Sequence, residues 1–165
     1  MFNRILVVTD GSELSERAVS KAIDLSLLSG AELHVIAVAH LEPYSYFEGS
    51  SRLSQRQIDE AHQRSAAAAQ TLVDAVRDNA IAKGVRRAQA IVARSNHVAE
   101  SIIEHAKTHD CDLIVMASHG RRGFARMLMG SETLHVLTHS HTPVLEPEVT
   151  SAAGLRLAGV TRAEH

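Results

Sequence analysis

The segment from residue 112 to 131 carries the residue types and spacing of a phosphate-binding turn. Residues 112–116 form a short, mostly apolar run that predicts one strand, and Gly120, Gly130 and Ser131 follow it. The backbone N–H groups in the first turn of a helix lack partners inside the helix and carry partial positive charge, and glycine lets an anion approach them. The pattern therefore favours a phosphate site where a helix begins near residue 130. Glycines that only mark the ends of a helix pair are the alternative.

A second polar turn follows the first apolar run of the chain. Residues 5–8 predict a strand, and Thr9, Asp10 and Gly11 come directly after it. In a doubly wound sheet, ligands bind beyond the carboxyl ends of the strands where the winding reverses, so neighbouring strands would send both turns into one crevice. Asp10 would then contact a sugar hydroxyl or hold a metal ion. A plain Asx turn before the next helix is the alternative interpretation.

Composition and charge exclude several classes of function. The chain has 165 residues, of which 45% are hydrophobic and 22% charged, which suffices for one compact domain. A formal net charge of -2 provides no field to attract nucleic acid or an anionic membrane, so neither partner is expected. The single cysteine, Cys111, is expected to be buried and reduced. Without a signal-peptide pattern or a run of membrane-spanning length, we expect a cytoplasmic protein.

Apolar runs alternate with helical patterns along the chain. Uninterrupted runs are typical of strands covered on both faces in a parallel sheet, and the alternation implies right-handed crossovers. The sequence thus predicts an α/β fold with a doubly wound, open, five-stranded parallel sheet, in which the third strand lies near an edge and Asn96 caps the third helix. Strands are predicted at residues 5–8, 33–39, 88–93, 112–116 and 144–145. Helices are predicted at 12–30, 54–83, 96–106 and 130–139, and a loop at 41–53. Together they predict one domain over residues 1–146, followed by a mobile tail over 147–165.

Several motifs together resemble the universal stress protein family over nearly all of residues 1–146. They are RILVVTDGS at 4–12, LHVI at 33–36, DLIVM at 112–116, the segment 118–131 with its glycines, and TPVL at 142–145. The resemblance implies the three-layer α/β/α fold of the adenine nucleotide alpha hydrolase-like type, and a homodimer through the edge strand from Pro143 to Leu145. In one branch of the family it also implies an ATP site with the pattern Gly, two residues, Gly, nine residues, Gly and Ser or Thr.

Carried over residue by residue, that pattern places Ala117 at the first glycine, Gly120 at the second, Gly130 at the third and Ser131 at the hydroxyl. Ala117 departs from the pattern, and its methyl would crowd a phosphate or disfavour a positive φ that glycine accepts. ATP, with or without Mg²⁺ or Mn²⁺, is the implied cofactor. The resemblance also implies that Thr9 and Asp10 border the ribose and adenine, that the Val35 backbone contacts the adenine edge, that Met116 packs on the base and that His119 lies by the phosphates. Glu132 and Thr133 extend the helix start through their backbone N–H groups. Because Arg121, Arg122 and Arg126 lie between the glycines, they are candidates to reach phosphate, and a solvated basic loop is the alternative.

No residue is predicted to be catalytic. Phosphoryl transfer needs an activated nucleophile and positive charge on the transferring group, and the sequence has neither a Walker-type Gly-Lys-Ser/Thr run nor a His-Ile-Gly-His signature. Three functions are considered, in descending order: an ATP-binding, stress-responsive regulator of an unknown protein partner, a non-binding interaction module of the same family, and an adenine-nucleotide enzyme on the same fold. Ala117 favours the second, whereas Gly120, Gly130 and Ser131 favour the first.

Two histidine pairs stand four residues apart on predicted helices, His105 with His109 and His135 with His139. This spacing places each pair on one helix face at a distance compatible with metal binding. The sequence indicates no third ligand, so we expect solvent-facing histidines and predict no metal site.

Aromatic residues are concentrated in the loop at 41–53, which contains Tyr44, Tyr46 and Phe47. A lid over a nucleotide and a partner contact are two interpretations, and packing on the following helix is the one we favour. At the other end of the domain, Glu146 and Pro147 replace further apolar strand residues, and proline cannot donate to a ladder. A weaker dimer, or one through another surface, is therefore expected.

Overall fold

The polypeptide folds into a parallel β-sheet with helices on both faces. The structure, a computed structural model, describes residues 1–41, 54–117 and 130–147. Its elements are β1 (Arg4–Val8), α1 (Glu13–Ser29), β2 (Glu32–Ala39), α2 (Gln55–Ala82), β3 (Ala88–Arg94), α3 (Val98–Thr108), β4 (Leu113–Val115), α4 (Ser131–His139) and β5 (Val144–Leu145).

The winding of the sheet reverses at β1. The strand order is β3-β2-β1-β4-β5 and every neighbouring pair is parallel, so β1 lies at the centre and β3 at an edge. Ile23 of α1 and Val73 of α2 belong to the core on one face, whereas Ile102 of α3 and Val136 of α4 belong to the core on the other. The predicted five-stranded, three-layer α/β/α fold and the edge position of the third strand are therefore confirmed.

Strand β2 contributes to both cores because its side chains alternate between the two faces of the sheet. Leu33 and Val35 pack under α1 and α2, and Ile36 packs under α3 and α4. By the same alternation, His34 shares the face of Ile36 and is 1% exposed. A buried imidazole on the α3 face needs polar partners.

Local signals define the helix ends as the sequence predicts. The Ser12 hydroxyl accepts a hydrogen bond from the Ser15 backbone N–H at 3.2 Å and caps α1. Gly30 ends that helix with a φ of 75°, a left-handed conformation that glycine adopts without a Cβ clash. Ser54 and Gln57 form a reciprocal capping box at the start of α2.

The predicted cap of the third helix is wrong. Helix α3 begins at Val98, and its N-cap residue, His97, makes no side-chain capping hydrogen bond. The side-chain oxygen Oδ1 of Asn96 instead accepts a hydrogen bond from the Leu41 backbone N–H at 2.8 Å, because the chain leaving β2 passes beside it. A distant carboxylate, described below, satisfies the beginning of α3.

Several expectations fall on residues that the structure does not describe. Tyr44, Tyr46 and Phe47 lie outside the described residues, as does the tail beyond Pro147. The domain boundary at residue 146 stays a prediction. Among the helices of the described segments, none combines the length and apolar character needed to cross a bilayer.

Candidate functional site

The two polar turns predicted from the sequence leave the sheet side by side. Strands β1 and β4 are neighbours, and Val7 pairs with Val115 two residues before the turns begin. The adjacency on which the single-crevice interpretation depends is thus present. The space bordered by residues 9–11, residues 116–117 and the beginning of α4 is called the switch-point crevice below.

Asp10 stands in an Asx turn at the crevice. Its Oδ1 accepts a hydrogen bond from the Ser12 backbone N–H at 3.0 Å, and Gly11 follows with a φ of 75°. The local interpretation of Asp10 is therefore correct as far as the backbone is concerned. An Asx turn also fixes the direction of the carboxylate, so the same contact would position Asp10 for a ligand.

Thr9 anchors this turn from inside the protein. Its buried hydroxyl lies 3.2 Å from the Ser15 hydroxyl and accepts from the Gly11 backbone N–H at 3.3 Å. The Thr9 backbone N–H donates to the Ile36 carbonyl oxygen, which extends the pairing of β1 with β2. Thr9 thus holds the shape of the turn, and its contact with a nucleotide stays a prediction.

Helix α4 begins beside the chain that leaves β4. Gly130 is its N-cap residue and provides no side chain, and Ser131, the first helical residue, is exposed. The buried Thr133 hydroxyl donates to the Ala117 carbonyl oxygen at 3.1 Å. This hydrogen bond ties the first turn of α4, with its unsatisfied N–H groups and partial positive charge, to the end of β4.

Met116 and Val35 are more enclosed than the predicted contacts with adenine suggest. Met116 is 5% exposed and packs in the core under α3 and α4, so a base would touch only its edge. Val35 is fully buried between β1 and β3. The carbonyl group of Ile36 points towards β1. Because backbone groups of successive residues in a strand point to opposite neighbours, those of Val35 point towards β3. An adenine could contact them only by sharing the hydrogen bonds between β2 and β3. Both contacts stay predictions.

The side chain of Glu132 faces α3. Its carboxylate accepts a hydrogen bond from the Ala99 backbone N–H at 3.0 Å, in the first turn of α3. The predicted contact of Glu132 with a ligand uses its backbone N–H, which this side-chain contact leaves unaffected. Sequence reasoning missed the capping role because the two residues are 33 positions apart.

The middle of the predicted phosphate loop lies outside the described segments. His119, Gly120 and Arg122 belong to it, together with Arg121 and Arg126. The described part of the chain therefore brings together the two ends of the predicted site, at residues 9–11 and at 116–117 with 130–133.

The structure also assembles a histidine cluster at the other end of the sheet. His34 of β2 lies beside His105 and His109 at the end of α3, with 3.1 Å between His34 Nδ1 and His105 Nε2. Burial, together with the neighbouring His109 and His34, lowers the pKa of His105 to about 4. Burial also lowers the pKa of His34, although Glu32 opposes this shift.

The expectation that both histidine pairs face solvent is correct for only one of them. His135 and His139 stand on the outer part of α4, where the His135 side chain is 40% exposed. His105 is half-buried because α3 packs this side on β2. The sequence could not indicate His34 as a third member, since it lies 71 positions from His105.

Comparison with known proteins gives consistent matches. The model of the universal stress protein family matches residues 1–145. Universal stress protein YxiE of Bacillus subtilis is 32% identical over 147 residues, which cover 88% of this chain and 98% of the relative. Universal stress protein UspA from Lactobacillus plantarum has a TM-score of 0.76 at 21% identity, covering 88% of this chain and 97% of that one. A crystal structure of a universal stress protein in complex with cAMP has a TM-score of 0.62 at 25% identity, covering 88% and 96% respectively.

Proposed function

Because the chain belongs to the universal stress protein family, we propose that it binds an adenine nucleotide, with ATP as the first candidate, in the switch-point crevice. Binding would alter a surface that a protein partner recognises, without substantial turnover of the nucleotide. The protein would act in the cytoplasm as a stress-responsive regulator.

One observation carries the proposal: the hydrogen bond from Thr133 to Ala117 holds the amino end of α4 against the carboxyl end of β4, beside β1. A helix beginning there directs its N–H groups towards the crevice, where phosphate would be stabilised. Asp10, oriented by its Asx turn, directly follows the end of β1, the neighbour of β4, and we infer that its carboxylate contacts a ribose hydroxyl. The complex of a similar protein with cAMP supports an adenine nucleotide as the ligand class.

Calorimetric titration of the full chain with ATP, ADP and AMP, with and without MgCl₂, tests the proposal. A ligand at about 100 times its Kd should also stabilise the protein by about 2.7 kcal/mol, which a thermal unfolding experiment detects as a higher Tm. Dependence of the affinity on Mg²⁺ would indicate a metal-bound nucleotide.

Two matched pairs of variants locate the site. Asp10→Asn keeps an acceptor for the Asx turn but removes the charge, and Asp24→Asn makes the same change at an exposed position of α1. Ser131→Ala removes the hydroxyl at the start of α4, and Ser20→Ala is its exposed counterpart on α1. We expect weaker binding only in the Asp10 and Ser131 variants. Equal affinity of all four would place the nucleotide elsewhere.

Ala117 favours the second candidate, an interaction module that has lost nucleotide binding. Its methyl group stands where the ATP pattern has glycine, and its carbonyl is already held by Thr133. Ala117→Gly separates the two candidates. If the unmodified chain binds no nucleotide and the glycine variant does, the module is the better description. If neither binds, the crevice is not a nucleotide site and the proposal is wrong.

An adenine-nucleotide enzyme on this fold is the third candidate. A coupled assay that detects the phosphate released from ATP measures turnover directly. Release at ordinary enzyme rates that is lost in Asp10→Asn would overturn the non-catalytic part of the proposal, whereas rates at the background level agree with it.

The proposed assembly is a homodimer through β5. This two-residue strand pairs with β4, and in the described part of the sheet it forms an edge. Glu146 and Pro147 directly follow it, which limits the length of a strand-to-strand contact. Sedimentation equilibrium measures the assembly, and a monomer at tens of micromolar protein would contradict it.

A further inference from the structure

We propose that His34, His105 and His109 form a binding site for a divalent transition-metal ion, with Zn²⁺ as the best fit. The site is independent of the switch-point crevice. It lies near the amino end of β2 and the carboxyl end of α3, whereas the crevice lies beyond the carboxyl ends of the strands. It therefore does not rest on the proposed function.

The three side chains are already close enough to share an ion. One ligand nitrogen from each histidine can be chosen so that all three lie within 4.8 Å of one another. Three imidazole nitrogens around a tetrahedral Zn²⁺ are about 3.3 Å apart, since Zn–N bonds are about 2.0–2.1 Å long. The separation of 3.1 Å between His34 Nδ1 and His105 Nε2 is near that value. Small side-chain rotations would complete the geometry.

The backbone holds two elements of this arrangement in fixed positions. His105 and His109 stand four residues apart at the end of α3, with ring centroids 4.1 Å apart. His34 is held by β2, which is paired on both sides. Because β2 and α3 pack through the core that contains Ile36 and Ile102, the three rings meet without depending on a loop. Because the backbone already holds these residues together, metal binding costs less conformational entropy.

Glu32 stands where a metal-bound histidine needs an acceptor. His34 Nε2 is buried, makes no hydrogen bond among the described residues, and lies 3.4 Å from Glu32 Oε1. If Nδ1 binds the metal, Nε2 carries the proton and donates towards this carboxylate, an arrangement that metal-binding histidines commonly use. Gln89 fixes the carboxylate with a hydrogen bond of 2.7 Å.

The charge around the cluster is compatible with a cation. Arg4 is a positive group beside the cluster, but its guanidinium pairs with Glu32 at 3.5 Å and also donates to the His109 carbonyl oxygen. His109 is exposed, which gives an ion a route of entry and leaves a fourth position for water.

Titration of the full, tag-free protein with ZnCl₂ in a calorimeter tests the site, after removal of bound metal with a chelator. We expect one Zn²⁺ per chain. His109→Gln should weaken binding at least tenfold, and because His109 is exposed the variant should fold, which circular dichroism checks. The double variant His135→Gln/His139→Gln removes the other pair with the same spacing and should bind as the unmodified protein does.

Cobalt gives a second readout that is independent of affinity. Co²⁺ in a tetrahedral site with nitrogen ligands absorbs strongly in the visible range, and His109→Gln should lose this absorption. The proposal is overturned if the protein binds no Zn²⁺, if His109→Gln binds with unchanged affinity and spectrum, or if only the His135/His139 variant loses the ion. Retention of the site in Asp10→Asn would support its independence from the crevice, and loss there would contradict it.

Discussion

The Glu132 carboxylate, on the first turn of α4, accepts a hydrogen bond of 3.0 Å from the backbone N–H of Ala99 on the first turn of α3. Helix α3 has no side-chain cap of its own, because its N-cap residue His97 makes none. One helix start thus caps another, and the negative charge lies at the positive end of the α3 dipole.

Removing this carboxylate should destabilise the protein. We expect Glu132→Ala to lower the free energy of unfolding by about 1 kcal/mol, in the range of a lost N-cap. Glu132→Gln should lose less, since its amide oxygen can still accept the hydrogen bond. Urea unfolding followed by circular dichroism measures both, with Glu104→Ala, an exposed change later in α3, as the control. A Glu132→Ala variant as stable as the control would show that the cap contributes nothing.

Thr133 links the first turn of α4 to the chain that leaves β4. Thr133→Val keeps the size and branching of the side chain but removes the hydroxyl that donates to the Ala117 carbonyl oxygen. We expect a loss of about 1 kcal/mol in the free energy of unfolding, as for a typical hydrogen bond. If the crevice binds a nucleotide, its affinity should fall as well, because the helix start is less firmly held.

Thr138→Val is the matched control for this change. Thr138 is exposed on the same helix, and the contacts of its hydroxyl lie within that helix: the Leu134 and His135 carbonyl oxygens and His139 Nδ1 at 2.9 Å. Stability and calorimetric affinity should remain close to those of the unmodified protein. Equal losses in both threonine variants would mean that the Ala117 contact has no special role.

The fold could be predicted because its signals are local. Most strands are short apolar runs, and glycine or serine marks most of the helix ends, as Ser12, Gly30 and Ser54 show. The alternation of strands and helices then leaves few topologies, given right-handed crossovers. The predicted crevice requires that β1 and β4 be neighbours, and the two strands do pair in the sheet.

The parts that could not be predicted depend on contacts between distant residues. Asn96 has the type and position of a helix cap, but it bonds to Leu41, 55 positions away. His34 has no sequence feature that connects it with His105, since only the packing of α3 on β2 brings them together. Local patterns specify elements, whereas side-chain partners across elements depend on how those elements pack.

Asp112 joins the starts of two neighbouring strands, a role that its motif does not indicate. Its carboxylate accepts hydrogen bonds from the Asn3 backbone N–H at 2.7 Å and from the Arg4 backbone N–H at 3.1 Å. Asp112→Ala leaves both donors without this acceptor, so we expect a loss of about 2 kcal/mol in the free energy of unfolding. Asp112→Asn should lose less, because one oxygen remains to accept.

Urea unfolding measures these Asp112 variants, with Asp24→Asn as a control for charge removal at an exposed position. Hydrogen exchange adds a local readout, since the Asn3 and Arg4 amides should lose protection in Asp112→Ala. Unchanged protection of both amides would contradict the bridging role even if overall stability fell.

Cys111 should be chemically inert in the folded protein. The side chain is buried before β4, and burial raises the pKa of its thiol to about 11. At pH 8 the thiolate, which is the reacting form, would then be on the order of a hundredfold scarcer than in an unfolded chain. We expect the native protein to react with a disulfide reagent at least about a hundredfold more slowly than the protein unfolded in guanidinium chloride. A second thiol introduced as Ser20→Cys, at an exposed position of α1, should react quickly in the same sample. If Cys111 reacts at a rate within about tenfold of that exposed thiol, the strand start opens often enough that burial does not protect it.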